Sequence, residues 1–561
     1  MRLYHTLRYL KPRQIVCQVH NRVRSRLENP SRFLTQPVPE FSGCRWPKDT
    51  KILPPGMQVN TASEILNGKL TFLNNRQDIG WMPDWQCGSL PKLWQYNLHY
   101  FEWLWALEYE DAKAAVLDWV DCHGLAKGRV AWEPYPISLR VMNLCGVFFA
   151  KYRAQIEEDA CFLERVWKSI YRQCQWLIGH LEVHLLGNHY FENAAALAFV
   201  GSCFEGEVAQ QWLDAGIEIL QSEIPEQILS DGMHFELSPM YHSRMLYLLT
   251  ILLATGNEQV IRLVKEPLER MIRALNSLCH PDGQIALLND SAFGVYNEPD
   301  ELRSFCRESL DMAPYESLLT EGCFVLPDAG YYGWHDENGN YIVCDYGRIG
   351  PDYIPGHAHA DMFCFELSLK GHRVIVDAGV CDYEASDTRR YCRSTAAHNT
   401  VEIDGQDQCE MWSAFRVARR GYPQDVKWQP ATGGFSLSGW HNGYQRLSGR
   451  PVHIREIDWD AGAGLTVTDR VSASRSVKAT SRAHLHPECK VLSAAAGKID
   501  IEHPKGCFCI EWAEDCEFHI EEGWYYPKFG VKQSNPVIAL TKSGCDIELR
   551  YTVKSALSSK S

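Results

Sequence analysis

Imidazoles and carboxylates converge in one stretch of this chain. His357, His359 and Asp361 alternate in Gly356-His357-Ala358-His359-Ala360-Asp361, the apolar run Val374-Ile375-Val376 ends on Asp377, and His398-Asn399 follows. If residues 357–361 are extended, the three alternating side chains share a face, because a strand has a side-chain period of two. Imidazole nitrogens with one carboxylate oxygen suit zinc at tetrahedral geometry. The ligands expected for Zn2+ are His359, Asp377 and His398, in a site that staples the chain rather than activating water.

Two further motifs lie earlier in the chain. Leu186-Gly187-Asn188-His189 runs into the small apolar stretch Asn193-Ala194-Ala195-Ala196-Leu197, so Asn188 and His189 fall where a helix begins. That end of a helix carries free N–H groups and partial positive charge, and it suits a carboxylate. In Ser238-Pro239-Met240-Tyr241 a proline precedes Tyr241 at the start of another expected helix. A phenol acts directly as an acid, whereas as a base it needs nearby positive charge. Taken singly, Asn188 reads first as an N-cap, His189 as a surface residue and Tyr241 as a packing group.

Together, Asn188-His189, Ser238-Pro239-Met240-Tyr241, His357-Ala358-His359-Ala360-Asp361, Asp377-Ala378-Gly379 and His398-Asn399 resemble the heparinase II/III-like polysaccharide lyases, a group that includes heparan- and alginate-degrading enzymes. The resemblance implies β-elimination on a uronic-acid-containing glycan: the C5 proton is removed, the C4 oxygen departs, and an unsaturated uronate remains. By that likeness Asn188 and His357 neutralise the sugar carboxylate. Tyr241 is the acid, and also the base where both atoms lie on one face of the sugar; His189 is the base where they lie on opposite faces. Likeness also suggests Trp94, Asn97, His99, Tyr135 and Arg140 as groove walls. Arg416 and Arg420 are the arginines expected to meet substrate carboxylates, within a cluster that also holds Arg389, Arg390, Arg393 and Arg419.

Periodicity supplies the elements that must position these groups. From about residue 90 to 325, apolar residues recur at three and four, which predicts helices over 93–107, 137–152, 162–181, 193–203, 210–220, 241–254 and 260–279. After Pro327 short β-rich runs take over, at 341–345, 363–369, 373–377, 399–403, 465–467, 499–501 and 547–552. Strands without intervening helices argue for antiparallel sheets. The expected architecture is an N-terminal incomplete (α/α) toroid over 86–325, after a basic lead-in at 1–85, followed by a C-terminal antiparallel β-sandwich over 326–555.

Composition narrows the partners. A net charge of −14 disfavours nucleic acid, which needs a broad basic surface. The odd count of 21 cysteines shows no repeated framework, which reads as free thiols in a reducing compartment. Residues 1–27 hold seven Arg or Lys and no acid or continuous apolar run, so no ordinary secretory signal is visible. The expected location is cytoplasmic, with peripheral inner-membrane contact through this basic segment as one option and packing on its own domain as the other. A role in capsule or exopolysaccharide metabolism is the context expected for such a chain. The competing readings are a zinc-dependent glycan hydrolase and a non-catalytic glycan-binding accessory of polysaccharide biosynthesis.

Overall fold

The computed structural model describes residues 2–27, 33–56, 59–122, 130–310 and 322–555. Its helical part is a double ring. Pro134–Cys145, Gly187–Cys203 and Pro239–Ala254 are buried along nearly their whole length. Each pairs with a helix that buries only one side: Ala160–Gly179, Glu207–Gln227 and Glu258–Ser277. Buried helices are apolar all round and outer ones are amphipathic, so the sequence itself sorts inner from outer ring. This is the incomplete (α/α) toroid.

Element boundaries shift in informative ways. The helix expected at 193 starts at Gly187, because Leu186 and Gly187 take up the turn with φ of 65° and 54° and the polar Asn188-His189 pair lies inside the first turn. The stretch expected as one helix over 93–107 breaks at Phe101, whose φ is 65°, into Lys92–Tyr100 and a 3-10 turn at Glu102–Ala106. Helices Tyr109–Cys122 and Pro299–Ser309 were not expected.

The β part contains two main antiparallel sheets. A five-stranded meander runs in sequence order through Gly322–Leu326, Tyr331–His335, Tyr341–Asp345, Phe365–Leu369 and His372–Ile375. A ten-stranded sheet is built around the long pair Gly464–His484 and Gln533–Ser555. Ile342, Phe365 and Leu367 of the first pack with Leu437, Ile457 and Leu540 of the second, which makes the sandwich. The meander's other face packs on the toroid, where Tyr331, Tyr341 and Val343 meet Met233, Leu237 and Leu278. Covered on both faces, its central strands Tyr341–Asp345 and Phe365–Leu369 are buried at every position. Tyr341–Asp345 accordingly reads as a nearly continuous apolar run, whereas Phe365–Leu369 keeps an alternation whose buried Glu366 is bonded to His280 and the Leu287 N–H.

The 21 cysteines stand as free thiols. No helix among the described residues is long and apolar enough to cross a membrane. The N-terminal helices Arg2–Leu7 and Pro12–Leu27 lie across both parts of the molecule, with Arg13 paired to Glu223 of the toroid and Arg2 to Glu410 of the β part.

Candidate active site

The seam between toroid and meander gathers the motif residues. Asn188 sits in the first turn of Gly187–Cys203, and its backbone N–H donates to Glu236 Oε1 at 2.9 Å. Gly187 is required there: a Cβ would lie 2.5 Å from Glu236 Oε1 and 2.6 Å from Ile354, on a backbone with positive φ. Ser238 caps Pro239–Ala254 by accepting from the Tyr241 N–H, and its hydroxyl donates to the Asp290 carbonyl at 2.6 Å. The 355–361 segment is a loop laid against residues 289–291, not a strand. Its histidines still converge, because both reach Asp290 rather than because they alternate.

Backbone strain borders the cluster. Leu186, Leu237 and Asn289 hold φ of 65°, 58° and 54°, each beside the Gly187-Asn188 turn, Glu236 or Asp290. A left-handed leucine costs about 1–3 kcal/mol and persists only where surrounding contacts fix it.

Asn188 Nδ2 lies 3.3 Å from His357 Nε2, and the His357 ring stacks on Tyr241 with centroids 3.8 Å apart. His357 Nδ1 donates to Asp290 Oδ2 at 2.9 Å, so its Nε2 faces Asn188 and Glu236 Oε2, the latter at 3.3 Å. Tyr241 Oη meets Tyr383 Oη at 3.1 Å. Burial, then the neighbouring Tyr383, Tyr296 and Tyr135 phenols, holds the Tyr241 phenol well above its usual range. It therefore keeps its proton at rest. His189 Nδ1 donates to Glu182 Oε1 at 3.0 Å and its ring lies 4.4 Å from that of Tyr135, which leaves Nε2 as the free lone pair. Burial disfavours its imidazolium, but Glu182 outweighs burial and raises the pKa.

Asp290 is the hub. It accepts from His357, from His359 Nε2 at 2.8 Å, and from both terminal nitrogens of Arg389. Burial would raise its pKa, but Arg389 and the two imidazoles push it well below the usual carboxylate range.

Behind it lies the metal-ligating candidate set. His359, Asp361 and His398, all fully buried, present donor atoms within 4.8 Å of one another. His359 Nδ1, His398 Nε2 and both Asp361 oxygens have no hydrogen-bond partner. Asp377 was expected as the carboxylate ligand; here its Oδ2 accepts from His398 Nδ1 at 2.7 Å, which fixes the tautomer that leaves Nε2 open. Burial pushes Asp361 up to about 6, and burial together with Asp361 and Asp377 also raises Asp345 well above the usual carboxylate range. Unsatisfied buried imidazoles and carboxylates are costly unless a cation completes them, so this donor set fits a divalent metal.

Several expected groove residues belong elsewhere. His99 is core: its Nδ1 accepts from Trp119 Nε1. Arg140 is fully buried and spends its guanidinium on Gln173 and the carbonyls of His99 and Ala131. Arg420 is bound to Asp352 and stacked 3.9 Å from the Tyr9 ring. Arg416 is exposed and lies 5.0 Å over Trp412. The expected basic groove dissolves likewise, with Arg389 on Asp290, Arg393 on backbone carbonyls, Arg390 on Asp387 and Arg419 on Glu410. Asn97 donates to Leu93 O within its own helix. Trp94 donates to the Asn75 carbonyl, yet borders a cavity of about 250 Å³ whose far wall is Cys381–Glu384 and Phe529. Glu182, Glu236, Asp290 and Tyr383 were not expected as site residues, and Arg389 was expected only within the arginine cluster of the groove. The only sequence signal for Asp290 was a polar Asn-Asp-Ser island within an apolar stretch.

The same seam divides two sequence families of domain. The heparinase II/III N-terminus model matches residues 92–317, and the heparinase II/III-like C-terminal model matches 319–554. The chain belongs to the heparinase II/III-like family. A heparin-sulfate lyase of Pedobacter heparinus is 30% identical over 380 residues, which cover 60% of this chain and 55% of that relative. One from Bacteroides thetaiotaomicron is 26% identical over 260 residues, 39% of this chain and 37% of the relative. This heparinase II/III-like chain thus aligns with about half the length, or less, of these curated relatives. Among solved structures, heparinase III superposes with a TM-score of 0.70 at 15% identity, over 86% of this chain and 81% of that one. A heparan sulfate lyase HepC mutant from Pedobacter heparinus gives 0.63 at 19% identity, over 96% and 88%. These two share the fold.

Proposed function

We propose that this heparinase II/III-like protein is a polysaccharide lyase that cleaves a uronic-acid-containing glycan by β-elimination. The observation that carries the reading is the contact set Asn188–His357–Tyr241 on the toroid–meander seam. Elimination needs the sugar carboxylate neutralised so that C5–H acidifies. The Asn188 amide and His357 Nε2 supply two donors to one point, the latter when the ring is protonated. Tyr241, held neutral by burial, delivers its proton to the departing C4 oxygen, and Tyr383 aims that hydroxyl. His189 Nε2, the lone pair left open by Glu182, takes the C5 proton.

Zinc is the proposed metal, held by His359, His398 and Asp361, with Asp377 orienting His398. Bound there, it would supply charge balance and fix the 355–361 and 395–399 loops. The fully buried ligands favour this bracing role over hydrolysis, which needs a metal position open to substrate and water. Asp290 ties the two functions together by holding His357 and His359 with one carboxylate.

The test is ultraviolet absorbance of unsaturated uronate while the protein is offered heparan, alginate, hyaluronan, chondroitin and bacterial capsule glycans. A rise with one glycan, absent in Tyr241→Phe, supports the reading. Binding without any rise supports an accessory role instead.

A further inference from the structure

We propose that the N-terminal helices carry a docking face for an anionic lipid surface. Seven of the fifteen exposed large apolar side chains among the described residues fall within the first 23 positions: Leu3, Tyr4, Leu7, Ile15, Val16, Val19 and Val23. So dense a patch on one short segment is unlike the scattered exposure of an ordinary surface. On Pro12–Leu27, positions 15, 16, 19 and 23 lie on one side at the helical repeat. The other side is attached to the body: Gln14 donates to the carbonyls of Leu185 and Tyr353, Asn21 meets His184, and Arg24 reaches the Gly179 carbonyl. The helix is therefore docked with its apolar stripe outward, the reverse of what core packing would select.

Charge names the occupant. Positions 1–27 contain Arg2, Arg8, Lys11, Arg13, Arg22, Arg24 and Arg26 and no acid, within a chain of net charge −14. Arg2, Lys11 and Arg13 turn inward to Glu410, Glu226 and Glu223, which clamp the segment to both parts of the molecule. Arg22 and Arg26 are exposed beside the stripe. An apolar strip edged by arginines, on a segment that itself carries no acid, matches the boundary between acyl chains and anionic headgroups. The face also adjoins the cleft: Thr6 donates to the Val417 carbonyl and accepts from Trp412, and Phe415 between them packs 5.4 Å from the Tyr383 ring.

Sedimentation of the full chain with vesicles tests this without any glycan, so its failure leaves the proposed reaction untouched. The expected result is pelleting with phosphatidylcholine vesicles that contain phosphatidylglycerol, little with phosphatidylcholine alone, and release as salt rises. Val16→Glu/Val19→Glu and Arg22→Glu/Arg26→Glu, all exposed positions, should each weaken binding by about ten-fold or more. No pelleting, or pelleting that ignores both variants, overturns the proposal. Concentration-dependent dimers that Val16→Glu/Val19→Glu abolishes, without lipid binding, would overturn it in favour of a second copy.

Discussion

Two buried clusters in this molecule use nearly the same residue types and end differently. In the sandwich, His441 Nε2 meets His453 Nδ1 at 3.0 Å and His453 Nε2 meets Asp469 at 2.8 Å. Arg455 grips that aspartate through two nitrogens, and Ser481 adds a bond at 2.7 Å. The remaining His441 nitrogen accepts from the Gly443 N–H, so the circuit is closed. At the seam, His359, His398 and Asp361 each keep an atom without a hydrogen-bond partner. Burial and charge are common to both clusters; what separates them is the group of imidazole and carboxylate atoms left without hydrogen bonds at the seam.

Ways to break this contrast can be ranked by expected effect. Tyr241→Phe removes the acid and should lower kcat by about 10²–10⁴-fold with little change in Tm, which steady-state kinetics and a melting curve will check. Asp469→Asn, in the closed cluster, should do the opposite: a loss of about 3–5 kcal/mol in denaturant unfolding, because Arg455 is left buried without its partner, while bound metal is unchanged. Asp290→Asn should cost about 10–100-fold in metal affinity, read by chelator competition, because it orients His359 rather than ligating metal.

A subtler test sharpens the role of His189. Glu182 raises its pKa against burial, and the base must be unprotonated, so the acid limb of kcat/KM should lie above the ordinary histidine range. Glu182→Gln removes the raising charge and leaves burial, which lowers the pKa. The acid limb should then move to lower pH in the pH–rate profile.

Much of this was legible in the sequence because periodicity and motif spacing are local. The inner helices, the strand at Tyr341–Asp345 and the motif residues Asn188, His189, Tyr241 and His357 all follow from short stretches. What was hidden depends on contacts across the seam. Asp290 is 67 residues from His357, Tyr383 is 142 from Tyr241, and no local pattern announces either pairing. The misassigned arginines show the converse. Arg140 and Arg420 have the chemistry of carboxylate binders, but the fold buries their side chains among other partners. Asp361 keeps both oxygens free of hydrogen bonds while Asp377 accepts from His398, a difference that tertiary contacts and not spacing decide.

The measurement closest to the central claim is the mass of the products released from a susceptible uronate glycan. Elimination at the seam predicts new non-reducing ends lighter by one water than hydrolytic ends, formed by the wild type and absent with Tyr241→Phe. Hydrated ends, or unsaturated ends that Tyr241→Phe still forms at the wild-type rate, would contradict it.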